Sequence, residues 1–286
     1  MKLHRVLAGT LAVTLTATGL VACGSNDDSD TIKIGTTDAN LREWDVFTDL
    51  AEQNGIDLEV VAFSDYNTPN QALAQGEIDI NKFQHILFLS DYNAGSGDNL
   101  KAIGATEIYP LALFWKDHDS LAGIEGKKIA IPNDPTNQGR AINVLVQAGL
   151  VTLKEDGLIN PSPADIDQAK SKVEVTPVDA AQTTIAYGEG TPAVINNSFL
   201  ERAGIDAGLA IFQDDPDTEQ AEPYINVFAT TEDRATDPTL IKLTELWKDP
   251  AVAEAVLESS GGTAVAVDRT PEELAKIQAR LEDAEK

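Results

Sequence analysis

The chain has 286 residues, 42% of them hydrophobic, which is enough length and apolar content for two packed domains. It carries 21 basic against 47 acidic residues, a formal net charge of −26, and no dense basic cluster interrupts that acidity. Nucleic acid and anionic lipid surfaces are therefore poor partners, because both are attracted by positive patches.

In the first segment, MKLHRVLAGTLAVTLTATGLVAC, Lys2 and Arg5 precede an acid-free, threonine-rich apolar stretch that ends at Cys23. This is the layout of an export signal, so residues 1–22 are set apart from the fold. Val6 to Ala22 is diluted by threonine and falls short of the roughly 20 apolar residues of a membrane span. LVAC followed by Gly24 resembles the lipobox of bacterial lipoproteins, which implies that Cys23 is lipidated and becomes the first mature residue, with 23–30 as a solvated acidic tether. As the only cysteine, Cys23 leaves no intrachain disulfide and no thiolate metal cluster.

TIKIGTT then reads as a strand. NLREWDVFTDLAEQ carries Leu41, Trp44, Phe47, Leu50 and Ala51 at helical spacing and stops at Asn54-Gly55, and IDLEVVAF alternates as a second strand. Thr68-Pro69 starts a short helix that Gly76 ends; EIDINKF returns as a strand and QHILFLSDYNA as a helix. KAIGATEIYPLALFWK holds one or two strands.

A second series of the same kind follows: KKIAI strand, a helix over about 136–148, KVEVTPV strand, DAAQTTIAYG helix, PAVIN strand, FLERAG helix and LAIFQ strand. After the polar stretch DDPDTEQAE come the strand-like PYINVFATTED and three helices around DPTLIKLTELWKD, PAVAEAVLESS and PEELAKIQARLEDAEK, interrupted only by TAVAV. The expected class is α/β, with lobe 1 from 31–112 plus 224–286 and lobe 2 from 113–223. Two crossings, near LALFWK and EPYINVF, make a hinge beside a cleft, and α/β proteins bind small ligands at the carboxyl ends of strands.

The loop NDPTNQGRA at 133–141 lies between a strand and a helix start, where unpaired N–H groups and the helix dipole attract anions. Asn137 and Arg140, three residues apart, share one side of that start, and arginine offers a bidentate fork for a carboxylate. The loop lacks the glycine-rich phosphate pattern, so a carboxylate fits better than a nucleotide. The competing structural reading makes Arg140, Asn143 and Gln147 a solvated polar stripe.

Tyr66, in FSDYNTPN, stands just past a strand end, as do Phe83 and His85 in FQH and Tyr109 in IYP. Each of these is also compatible with ordinary packing. Past residue 30 only His85 and His118 remain as histidines, and no GxSxG, HExxH or Cys-His pairing occurs, so enzyme chemistry has few candidates. DDPDTEQAE lacks the glycine and terminal glutamate of a calcium loop and reads as a solvated acidic loop. No cofactor and no metal site is expected.

Taken in order, DYNTPNQAL, QH, IYPLA, NDPTNQGRA, AVINN and PYINV resemble the methionine-binding lipoproteins of bacterial ABC importers. That resemblance implies a two-lobed periplasmic-binding-protein fold of type II-like form that closes on L-methionine, or on D-methionine or derivatives. It implies an extracytoplasmic, lipid-anchored monomer that delivers its ligand to a permease with its ATPase, touching the membrane only through the anchor. By position, Arg140 would grip the carboxylate, Asn137, Asn196 and Asn226 would bond the head group, and Tyr66, Phe83, His85 and Tyr109 would surround the thioether.

The loop TTDANLREWDVF departs from the family pattern and is expected to bring Trp44 near the cleft. The same scaffold could select a Gly-Met-type dipeptide or another small apolar amino acid. From a different class stands a surface hydrolase using His85 with Asp65. The chain beyond Met1 contains no methionine, as suits a scavenger made during sulfur scarcity.

Overall fold

The structure, a computed structural model, describes residues 31–284. Residues 1–30, on which the expected export signal, the Cys23 anchor and the tether fall, lie outside those residues.

Two five-stranded sheets organise the chain. In the first, β1 (Ile32–Thr36) lies parallel between β2 (Leu58–Ala62) and β3 (Ile80–His85). β11 (Asn226–Thr230) runs antiparallel between β3 and β4 (Lys101–Ala105). In the second, β7 (Lys128–Pro132) lies parallel between β8 (Glu174–Val178) and β9 (Ala193–Ile195). β6 (Ala112–Phe114) runs antiparallel between β9 and β10 (Ala210–Gln213). β5 (Glu107–Ile108) and β12 (Val265–Ala266) form a separate two-stranded ribbon. The stretch 101–116 therefore holds three strands rather than one or two, divided among two sheets and the ribbon, because Pro110 interrupts pairing as the chain passes between sheets.

The helices follow their sequence signals. α1 (Arg42–Gln53) buries Trp44, Phe47 and Ala51 on one face and ends at Asn54 before the left-handed Gly55. α2 (Pro69–Ala74) and α3 (Ile86–Ser96) link β2 to β3 and β3 to β4. α4 (Pro135–Gln147) has Asp134 as N-cap and proline in its first turn. α5 (Thr183–Gly188) is a single short helix after a 3-10 turn, and FLERAG forms two 3-10 turns, Asn197–Phe199 and Glu201–Ala203, rather than a helix. Gly204, left-handed at φ 66°, ends that segment before a longer helix can propagate. α6 (Pro238–Leu246) and α8 (Pro271–Ala284) pack on the first sheet at β4, α8 also against α3, while α7 (Pro250–Ser259) packs against α1.

Trp44 is 2% exposed within that packing. Its indole donates to Asp38 Oδ1 at 2.8 Å and its ring packs on Trp247 at 5.2 Å, so it belongs to the core beside the first sheet and not to a cleft. The reason is periodic: Trp44, Phe47 and Ala51 share the buried face of α1.

Beside Trp44 lies a buried ionic cluster. Lys82 Nζ meets Glu107 Oε1 at 2.5 Å and stands 4.5 Å over the Trp247 ring, while Trp247 Nε1 and the Tyr109 hydroxyl donate to Glu107 at 3.1 and 2.9 Å. Glu43, 1% exposed, places neither oxygen in a hydrogen bond of good geometry. Burial pushes its carboxyl up to about 7, against the opposing pull of the Ser259 hydroxyl and the Lys82 charge.

An acid held above its ordinary value of 4.5 keeps its proton longer in the folded chain than in the unfolded one. Its contribution to stability is present below about pH 4.5 and is lost as pH rises through about 7, a swing on the order of 3 kcal/mol. Glu43→Gln is expected to flatten the decline in stability over that window and to stabilise the chain at alkaline pH. Urea melts of both chains across the pH range check it, and equal slopes would refute the account.

Candidate functional site

The site begins with the first turn of α4. Asp134 Oδ1 accepts the Asn137 backbone N–H at 3.0 Å, the Asn137 side-chain Nδ2 at 2.9 Å and the Thr136 hydroxyl at 3.3 Å. With Nδ2 committed to the cap, Asn137 must present Oδ1 outward. There it accepts Asn196 Nδ2 at 2.7 Å, from the end of β9, and meets His85 Nε2 at 3.4 Å, from the end of β3 in the other sheet.

His85 is itself the N-cap of α3, its Nδ1 accepting the Phe88 N–H at 3.1 Å. An accepting Nδ1 carries no proton, so the ring hydrogen resides on Nε2 and points at Asn137 Oδ1. Burial, and secondly the Arg140 charge, push the imidazole down to about 3, so the ring is neutral at physiological pH.

Arg140, one turn further along α4, is 4% exposed. Its Nε donates to Asp214 Oδ2 at 2.7 Å, and its Nη2 donates to Asp214 Oδ1 at 3.2 Å and to the Tyr109 carbonyl at 2.8 Å. The guanidinium lies 4.2 Å from the Tyr224 ring centre. The Nε–Nη2 fork is thus occupied by a carboxylate of the chain itself, and Nη1 is the edge left for a ligand. Arg140 is not part of a solvated stripe: exposure rises along the helix from Arg140 through Asn143, which bonds the Leu158 and Ile159 carbonyls, to the exposed Gln147. Gly139 permits this covering, since a Cβ there would stand 2.2 Å from Asn160 Oδ1.

Asp214 is the residue that sequence reasoning missed. DDPDTEQAE is not uniformly solvated: its first aspartate has a side chain only 12% exposed, and its Oδ1 also accepts the Leu111 N–H at 2.8 Å. The available signal was its position directly after β10, a strand end like those that marked the other site residues.

All eight proposed ligand residues, Tyr66, Phe83, His85, Tyr109, Asn137, Arg140, Asn196 and Asn226, line one cavity, which holds about 450 Å³ counting its mouth. The cavity has a polar end of Asn137, Arg140, Asn196 and Asn226 and an apolar end where Tyr66 packs on Phe199 at 4.9 Å, Phe83 at 6.0 Å and Phe88 at 6.1 Å. Phe88, unmarked in the sequence, reaches the cavity from the first turn of α3. Tyr109 offers Arg140 its carbonyl while its phenol turns to Glu107; burial, then the Glu107 charge, holds that phenol well above its ordinary value. Asn226 sits opposite His85 in the β3–β11 register.

Two buried oxygens of the polar end have no partner among the described residues: Asn196 Oδ1 and Asp134 Oδ2. Asn196, with an unpartnered acceptor in Oδ1, and Arg140, with Nη1 as a donor, line the same cavity, and an acceptor and a donor of these kinds are what an α-amino acid head group requires.

The sequence model of the NlpA lipoprotein family matches residues 32–267. The D-methionine-binding lipoprotein MetQ of Salmonella typhi is 33% identical over 253 residues, covering 86% of this chain and 92% of that protein. The substrate binding protein of a methionine transporter from Streptococcus pneumoniae superposes with a TM-score of 0.75 at 31% identity, over 83% of this chain and 95% of that one. A nutrient binding protein from Burkholderia cenocepacia, solved bound to methionine, gives a TM-score of 0.75 at 30% identity, over 82% and 99% of the two chains.

The His85 ring is expected to keep the Nε2–H neutral form throughout the physiological range. Nitrogen NMR of the imidazole across about pH 5 to 8 checks this, and a protonation step inside that window would contradict the cap geometry.

Proposed function

Because the chain belongs to the NlpA lipoprotein family, we propose that it is the substrate-binding lipoprotein of an ABC importer, binding methionine outside the cytoplasmic membrane and delivering it to a permease driven by an ATPase. The observation that carries this reading is the single cavity with an open Arg140 Nη1 and an unpartnered Asn196 Oδ1 at one end and an aromatic wall at the other. The carboxylate would meet Arg140 and the ammonium Asn196, with Asn137 and Asn226 completing the head-group contacts. Tyr66, Phe83 and Phe88 would face the thioether, each sulfur–aromatic contact contributing about 0.3–1.5 kcal/mol.

In this reading residues 31–112 plus 224–286 and residues 113–223 are the two lobes, and the closed form, a monomer, docks on the permease. Lipidation of Cys23 would anchor it at the outer face of the cytoplasmic membrane. Among the described residues no helix is long and apolar enough to cross a membrane. His85 is better suited to binding than to proton transfer, since its one lone pair is used by a backbone N–H, and Asp65 bonds its own loop at Asn67.

Arg140→Ala is expected to weaken L-methionine binding by about 2–5 kcal/mol, since it also leaves Asp214 unpaired. Titration calorimetry on the folded variant checks this, and unchanged affinity would overturn the carboxylate assignment. Mass spectrometry of the ligand released on denaturation separates methionine from a dipeptide or another apolar amino acid.

A further inference from the structure

The Arg140–Asp214 pair is an unusual way to build a carboxylate grip, because the best edge of the guanidinium is spent inside the protein. Its charge is cancelled at contact distance behind the face that the ligand meets. The other ionisable groups at the polar end do not restore a positive charge; Arg202, which bonds the Ser64 carbonyl, stands over Phe199 at the apolar end. His85 is neutral, and Asp134, behind Asn137, can add only negative charge. Lys82, beyond Tyr109, is paired with Glu107. Asp214 is also fixed from two directions, by Arg140 and by the Leu111 N–H, so it cannot swing away when a ligand arrives.

We propose that Asp214 is a specificity-determining residue: by neutralising Arg140 it makes the closed site accept only ligands that bring their own positive charge. This rests on the amino-acid reading of the cavity given above. A zwitterion adds no net charge to the buried site, its carboxylate meeting Nη1 and its ammonium meeting Asn196 Oδ1. An acid of the same shape without the amine would bury an uncompensated negative charge and leave Asn196 Oδ1 unbonded. Without Asp214, the site would carry an excess positive charge, and the order of preference between zwitterion and anion would move toward the anion.

The test uses three ligands with one side chain: L-methionine, its desamino acid, which is anionic, and L-methioninamide, which is cationic. They are titrated into the full chain and its Asp214→Asn and Asp214→Glu forms. In the unaltered chain the desamino acid is expected to bind about a hundredfold more weakly than methionine. In Asp214→Asn the anion should gain about tenfold relative to methionine while the amide loses by a similar factor, and Asp214→Glu should restore the original order. A merely structural role would weaken all three in parallel, and that outcome, with the variant folded, overturns the proposal.

Binding of the desamino acid to the unaltered chain within tenfold of methionine overturns it too, without any variant having to fold. Should the unaltered chain bind none of the three, the methionine reading fails separately. The same charge series is then built on the ligand released by denaturation, with the same outcomes deciding.

Discussion

The polar geometry of the site depends on one carboxamide that has a single available orientation. Asn137 donates Nδ2 to the Asp134 cap, so its Oδ1 must face outward, where side-chain donors from the ends of strands in both sheets, Asn196 and His85, converge on it. Reversing the amide would set its NH2 against Asn196 Nδ2 and His85 Nε2–H and would leave Asp134 facing an acceptor. Each lost bond to a buried group costs about 1–3 kcal/mol, so the alternative is closed. The free Asn196 Oδ1 follows from that choice, which originates in the local sequence Asp134-Pro135 at a helix start and agrees with the Nε2–H tautomer that the Phe88 N–H imposes on His85.

Two buried ion pairs flank the site, and Tyr109 connects them. Its phenol donates to Glu107, the partner of Lys82, and its carbonyl accepts from Arg140, the partner of Asp214. Buried pairs of this kind add little net stability, because desolvation offsets attraction, but removing one partner leaves a costly lone charge. Their effect is on orientation. The segment between β5 and β6 is held by Asp214 at the Leu111 N–H and by Arg140 at the Tyr109 carbonyl, so the polar end of the cavity is preassembled where the chain passes from one sheet to the other.

Much of this was legible in the sequence because it is local. The strand–loop–helix pattern around NDPTNQGRA gave the start of α4, and strand ends gave Tyr66, Phe83, His85 and Tyr109, since a strand's carboxyl end is defined by residues next to one another; Asn196 and Asn226 came from the family resemblance. What stayed hidden is long-range. Asp214 pairs with a residue 74 positions away, and no periodicity in an acidic stretch tells the aspartate that meets an arginine from those that meet water. Trp44 was misplaced for a related reason: the loop before it departs from the family pattern and drew attention to the cleft, whereas its spacing to Phe47 and Ala51 already assigned it to the buried face of α1. The ionic cluster of Lys82, Glu107 and Glu43 escaped notice because charged residues in a strand or helix are read as solvated unless their partners are known.

The placement of the tryptophans has an optical consequence. All three are buried and none lines the cavity: Trp44 and Trp247 pack together beside the first sheet, and Trp115, just past β6 of the second sheet, stacks on His118 with its indole bonded to the Gly190 carbonyl. A ligand in the cavity touches no indole, so tryptophan emission is blind to occupancy as such and responds only to rearrangement of the surrounding packing. Tyr66 at the cavity is the intrinsic chromophore that contact with a ligand can perturb directly, which makes near-ultraviolet tyrosine dichroism the more direct optical reporter of filling.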